Sequence, residues 1–114
     1  MRAAAGARAE RLAEDYLAQR GLVVIERNFR CRMGEIDLIL RDGDALVFAE
    51  VRLRSGKEFG GAAASVTAEK QSRIAAAARH FLAGKRERPC RFDVVLLHRL
   101  APDAIEWIKD AFGE

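Results

Sequence analysis

Apolar residues recur at helical spacing over residues 7–20, at Ala9, Leu12, Ala13, Tyr16 and Leu17, and Gly21 follows as a C-terminal stop. The period then changes from 3.6 to 2. Leu22, Val23, Val24 and Ile25 form a short, mostly β-branched run that predicts a strand, continuing irregularly through Asn28 and Phe29. Gly34 opens a second strand over residues 35–40, where alternation sets Ile36, Leu38 and Leu40 on one face and Glu35, Asp37 and Ile39 on the other. Asp42-Gly43-Asp44 signals a tight turn. A third strand over residues 46–53 follows, with Val47, Ala49, Val51 and Leu53 facing one way and Phe48, Glu50 and Arg52 the other.

Residues 54–65, with Ser55-Gly56-Lys57 and Gly60-Gly61, read as a mobile loop, and residues 1–6 as a flexible start. Thr67 is placed to cap a helix running to about Leu82, whose apolar side is Ile74, Ala77, Ala78, Phe81 and Leu82. Gly84 ends it and residues 85–91 form a basic linker. Residues 92–97 predict a strongly apolar strand lying centrally, buried on both faces. Residues 104–108 read as a last edge strand, with 109–112 as a closing turn. The order α-β-β-β-α-β-(β) predicts an α/β or α+β fold with one mixed sheet.

Composition narrows the class. A chain of 114 residues, half of them apolar, suffices for a single domain with a real core, taken as 1–114. No apolar run approaches the roughly 20 residues of a membrane span, and no signal-peptide core is present, so a cytoplasmic protein is expected. Cys31 and Cys90 stand far apart without zinc spacing, which fits reduced thiols better than a disulfide framework. Ser55-Gly56-Lys57 is no phosphate loop, because position 51 is Val where that pattern needs Gly.

The net charge of +3 hides an uneven distribution. Residues 1–33 carry a balance of +3, 34–51 of −4, 52–92 of +7 and 93–114 of −3. The acidic island coincides with the hairpin that holds Asp37 and Glu50, each a charge in an otherwise apolar strand. A two-residue loop at Asp42-Gly43 makes Glu50 the diagonal neighbour of Asp37. A loop at Gly43-Asp44, or one of four residues, sets the two directly opposite. Either way both carboxylates leave the same face, roughly 4.5–8 Å apart. Such a pair repels unless a cation compensates it. Mg²⁺, with its preference for oxygen ligands, could do so and would polarise a phosphodiester. Arg52 lies two residues further on the same face. An ion-pair ladder of Asp37, Glu50, Arg52 and Arg54 is the plain structural alternative.

Gly34-Glu35-Ile36-Asp37-Leu38-Ile39 followed by Val47-Phe48-Ala49-Glu50-Val51-Arg52 resembles the D…ExK core of the PD-(D/E)xK nuclease superfamily. More narrowly, the chain is similar to the YraN-like family of small uncharacterised bacterial proteins. The similarity also takes in Gly6-Ala7-Arg8-Ala9-Glu10, Arg27-Asn28-Phe29-Arg30, Phe59-Gly60, Lys70 with Arg73-Ile74, and Arg91-Phe92-Asp93-Val94-Val95. It implies a restriction endonuclease-like fold, related to Holliday-junction resolvases. It also implies Mg²⁺ or Mn²⁺ held by Asp37 and Glu50, with Glu10 reaching the metal from the first helix and Glu14 as the fallback. One departure is chemical: Arg52 stands where the pattern has lysine, and arginine keeps its charge where a desolvated lysine can release a proton. The catalytic set implied is Glu10, Asp37, Glu50 and Arg52.

Arg54, Lys57, Lys70 and Arg73 are the expected nucleic-acid contacts, together with the basic residues Arg79, Lys85, Arg86, Arg88 and Arg91; Lys70 would supply an ammonium to the site instead if the second helix packs across it. Few aromatics accompany them, so phosphate and shape recognition of duplex or branched DNA is expected rather than base stacking. The leading expectation is a metal-dependent DNA endonuclease acting on structured DNA, and a homodimer would suit the cutting of two strands. The alternatives are a non-catalytic DNA-binding module blunted at Arg52 and a small protein-interaction subunit. Glu35 reads equally as a support to the site or as surface, and Asp93 as the orienting partner of a basic neighbour.

Overall fold

Two helices sandwich a five-stranded sheet in the computed structural model, which describes residues 4–54 and 66–113. The elements are α1 (Ala4–Gln19), β1 (Val23–Cys31), β2 (Gly34–Asp42), β3 (Ala45–Leu53), α2 (Ala68–Leu82), β4 (Cys90–Leu97), a 3₁₀ turn (Pro102–Ala104) and β5 (Ile105–Phe112). Strand order follows chain order, β1-β2-β3-β4-β5. Every neighbouring pair is antiparallel except β3 and β4, which run parallel because α2 carries the chain across the sheet between them. The expected mixed α+β arrangement and its element order are thus present.

The sheet divides the core in two. On one face Ala9, Ala13 and Leu17 of α1 pack on Leu38, Leu40, Val47, Ala49, Val95 and Leu97. On the other, Ile74, Ala77, Ala78 and Phe81 of α2 pack on Ile36, Ile39, Leu46, Phe48 and Val94. The period-2 reading of β3 therefore holds. That of β2 fails at one residue: Ile36 packs with Ile39 rather than with Leu38 and Leu40. The change of face occurs on both strands of the β1–β2 ribbon at one level. Arg27 pairs across from Leu38 and Phe29 across from Ile36, so Asn28, at φ 53°, sits at the level of Asp37. Asparagine tolerates this left-handed conformation better than most residues.

Local signals explain the ends of the elements. Gly21, at φ 92°, stops α1, and Gly84, at φ 78°, follows α2. The Thr67 hydroxyl accepts the Lys70 N–H at 3.1 Å, capping α2 as expected. Helix α1 starts at Ala4, so residues 4–6 are helical rather than a flexible start. The mobile loop expected over 54–65 falls, after Arg54, outside the described residues.

β4 lies between β3 and β5, with Asp93 to Leu97 buried. The closing turn expected at 109–112 is instead strand, because β5 runs on to Phe112 through a bulge. Register shifts between the Val94–Ile108 and Phe92–Phe112 pairs, where Asp110 takes φ 52° and its N–H donates to Asp93 Oδ1 at 2.9 Å. Asp93, fully buried, also accepts from Trp107 Nε1 at 2.9 Å and Arg91 Nε at 3.0 Å, so its role is to tie β5 and its basic neighbour to β4. No helix among the described residues is long and apolar enough to cross a membrane.

Candidate functional site

The hairpin register settles the geometry left open by the sequence. β2 and β3 pair from Asp42–Ala45 to Leu38–Ala49, closing on a two-residue Gly43-Asp44 turn with Gly43 at φ 60°. The same register extended by one residue sets Asp37 opposite Glu50. Both are buried, Asp37 to 8 % exposure and Glu50 to 3 %. The Val51 N–H donates to Asp37 Oδ2 at 2.8 Å, fixing that carboxylate against β3. Glu50 shares its face of β3 with Phe48, and α2 covers that face. Burial first, and the Asp37 carboxylate second, push the Glu50 carboxyl up to about 7. Glu50 can therefore hold a proton near neutrality.

The compensating cation is Lys70. Its Nζ lies 2.8 Å from Glu50 Oε2, and this contact draws the Glu50 carboxyl back toward the charged form. Gly34 lets α2 approach closely enough for this. A Cβ on Gly34 would stand 3.0 Å from the Arg73 carbonyl oxygen and 3.2 Å from Arg73 Cβ, one helical turn beyond Lys70. Lys70 was expected first as a phosphate contact or a solvated lysine, and as an ammonium for the site only if α2 packed across it; α2 does so, and Lys70 joins the carboxylate centre. The signal was available, since Lys70 stands four residues before Ile74 and so continues the buried stripe of Ile74, Ala78 and Phe81 toward the sheet.

Other expected residues are dispersed. Glu10 is buried, but it rides on α1, which packs on the face of the sheet opposite α2. Among the described residues no group of three or more His, Cys, Asp or Glu side chains is arranged to hold a metal ion, so Glu10 does not complete a triad with Asp37 and Glu50. Glu14, the fallback, is committed to a two-pronged pair with Arg27 at 2.7 Å, which holds its carboxyl below the usual range. Arg52 is half-buried two residues beyond Glu50, and among the described residues it makes no hydrogen bond or ion pair. Of the ladder expected from Asp37, Glu50, Arg52 and Arg54, the Glu50–Arg52 link is replaced by Glu50–Lys70. Arg54 follows β3, where its N–H donates to the Leu97 carbonyl at 2.8 Å. Lys57 lies outside the described residues, and Glu35 pairs with Arg30 at 3.0 Å.

The basic linker is mostly structural. Arg86 pairs with Asp44 at 2.6 Å, Arg88 Nε donates to the Asp44 carbonyl at 2.8 Å, and Arg91 bridges Asp42 and Asp93. These arginines fasten the β2–β3 turn and β4. Arg73 remains exposed on α2. The residue that sequence reasoning passed over at the site is Asn28. Its Oδ1 is buried without a hydrogen-bond partner, the one such side-chain atom among the described residues.

Comparison with known proteins places the chain. A model of the uncharacterised protein family UPF0102 matches residues 9–97. A UPF0102 protein of Nitrosomonas europaea is 54 % identical over 110 residues, covering 96 % of this chain and 93 % of the relative. One of Methylobacillus flagellatus is 55 % identical over 105 residues, covering 92 % and 93 %, and one of Dechloromonas aromatica 56 % identical over 110 residues, covering 96 % and 89 %. A match of this extent meets the YraN-like family expectation, and the chain belongs to the UPF0102 family.

Proposed function

We propose that this protein is a divalent-metal-dependent DNA endonuclease of restriction endonuclease-like fold, acting on structured or branched DNA. The observation that carries the reading is the buried Asp37–Glu50–Lys70 constellation. Two buried carboxylates face each other across a hairpin, and the Lys70 ammonium sits on Glu50. Its donors are hard oxygens, and Mg²⁺ commonly uses only one or two carboxylates with water and substrate phosphate completing its shell. Asn28 Oδ1, an unpartnered carbonyl oxygen on the strand position across from Asp37, adds to the fit. Asp37 and Glu50 would hold the ion, Mg²⁺ or Mn²⁺; bound there it would supply Lewis-acid polarisation of a phosphodiester.

The chain's own groups do the rest. The Val51 N–H pins one Asp37 oxygen and so orients the other. Glu50, titrating near 7, can hold or release a proton at its carboxyl at neutral pH. The Lys70 ammonium, fixed on Glu50 Oε2, stands where negative charge on phosphoryl oxygens would develop. Lysine thus reaches the centre from α2, although the strand position that the D…ExK pattern gives to lysine is Arg52. Arg52, which makes no ion pair among the described residues, adds a second cation from β3.

The test is incubation of purified protein with labelled four-way junctions, flaps and duplex in Mg²⁺ or Mn²⁺. Cleavage by wild type and its loss in Asp37→Asn is the expected result. Binding of DNA without cutting, by wild type and by Arg52→Lys alike, would favour the second reading, a non-catalytic DNA-binding module, for which the arginine at position 52 is the motivating feature. No binding even at low ionic strength would leave a protein-interaction subunit.

A further inference from the structure

A cavity of about 560 Å³ lies beside the carboxylate centre, between the turn that joins β1 to β2 and the first two turns of α2. Arg30, Arg32, Gly34, Thr67, Lys70 and Arg73 are among its walls. Lys70 belongs to both places, since its side chain lines the cavity while its Nζ pairs with Glu50. Two of the other cations are already used or balanced: Arg30 is matched by Glu35 at 3.0 Å, and Lys70 by Glu50. Arg32 and Arg73 are not. Among the described residues neither makes an ion pair or hydrogen bond, and both are exposed. Glu69 also lines the cavity, but the walls carry four cations against the two carboxylates Glu35 and Glu69. The start of α2, capped by Thr67, adds the positive end of a 15-residue helix.

We propose that this cavity takes one unpaired nucleotide of the DNA strand flanking the cut, with its phosphate on Arg32 and Arg73. This rests on the endonuclease reading and names its substrate class: DNA with an unpaired nucleotide beside the scissile phosphate, as at a flap or branch. The volume falls in the range of small-ligand sites and admits a nucleotide but not a stacked base pair with its backbone. Few aromatics were available to stack a base, but guanidinium planes serve that purpose in recognition of unpaired nucleotides. Gly34 and Gly34's neighbour Met33, 40 % exposed, leave the mouth open on the turn side. The position follows from chemistry as well as charge, because Lys70 joins the cavity to the carboxylates that would meet the phosphodiester.

The test measures binding without cutting, by fluorescence anisotropy in EDTA, of a flap and of a blunt duplex to wild type and to Arg32→Ala/Arg73→Ala. Both residues are exposed, so the double variant should fold, and circular dichroism checks this. Flap affinity should fall by about 10-fold or more while duplex affinity changes by less than about threefold, and the salt slope for the flap should drop by about 0.7, the release expected for one single-strand phosphate contact. Arg8→Ala/Arg11→Ala, on α1, should leave the flap preference intact. Equal loss for flap and duplex, or no loss, overturns the subsite even if wild type cuts DNA. Displacement of the flap by micromolar free deoxynucleoside monophosphate would also overturn it, identifying a free-nucleotide site instead. Failure of the endonuclease reading appears separately, as no cleavage with Mg²⁺ or Mn²⁺.

Discussion

Glu50→Gln should stabilise the metal-free protein above neutral pH while removing its response to divalent cations. Glu50 is 3 % exposed and its carboxyl is pushed up from 4.5 to about 7, chiefly by burial and then by Asp37. A carboxyl raised in this way favours folding fully below about 4.5, and that contribution is lost as pH rises through about 7. The cost to the folded state at pH 8 is of order 3 kcal/mol. Glutamine removes the charge and keeps the shape. It also gives up the bond to Lys70, whose side chain is 41 % exposed and can return to water, but the help of that bond to the charged form is already contained in the shift to about 7. The net gain is about 3 kcal/mol at pH 8, or roughly 12 °C in Tm for a domain of this size. At pH 4.5 the gain should vanish. Thermal unfolding followed by circular dichroism in EDTA at both pH values reads this directly. Addition of millimolar Mg²⁺ or Mn²⁺ at pH 8 should then raise the Tm of wild type and leave Glu50→Gln unchanged. A Glu50→Gln protein no more stable than wild type at pH 8, or a difference that does not change with pH, would refute the reasoning.

Three further outcomes are expected. Gly34→Ala should cost about 1–2 kcal/mol in urea unfolding by driving a methyl against the Arg73 carbonyl, and should weaken any cleavage more than Arg73→Ala does, because α2 carries Lys70. Asp93→Ala should cost about 2–4 kcal/mol, since it leaves the Trp107 and Asp110 N–H groups without their acceptor and Arg91 with Asp42 alone, and tryptophan fluorescence should report the loosening of β5. Lys70→Ala should abolish single-turnover cleavage without lowering DNA affinity more than about threefold, whereas Arg52→Ala should lower the rate and leave activity measurable.

The helices, the strand order and the hairpin pair of carboxylates were legible because each rests on a local rule. Periodicity of 3.6 or 2, a Thr cap and turn glycines are written over a few adjacent residues. Asp37 and Glu50 stood out for the same reason, as charges within apolar alternation. What escaped depends on contacts between distant segments. The role of Lys70 follows from α2 lying across β3, and its approach depends on Gly34, which the sequence marks only as the start of a strand. The ion pairs of the basic linker were hidden because Asp42, at the end of β2, and Asp44, in the β2–β3 turn, lie more than 40 residues away in sequence. The extension of β5 past Ile108 depends on a bulge tied to Asp93, and the face change at Ile36 coincides with the left-handed Asn28 on a neighbouring strand. Glu10 was singled out by the family resemblance and Glu14 by lying one turn further along α1, and neither signal says which side of the sheet α1 covers.

The most direct measurement is titration of the metal-free protein with Mn²⁺ at pH 8, followed by electron paramagnetic resonance and calorimetry. Wild type should bind with one saturable high-affinity site, and Asp37→Asn and Glu50→Gln should each lose it while remaining folded. Wild-type protein without saturable Mn²⁺ binding, or binding that both variants retain, would contradict a metal centre on the β2–β3 hairpin.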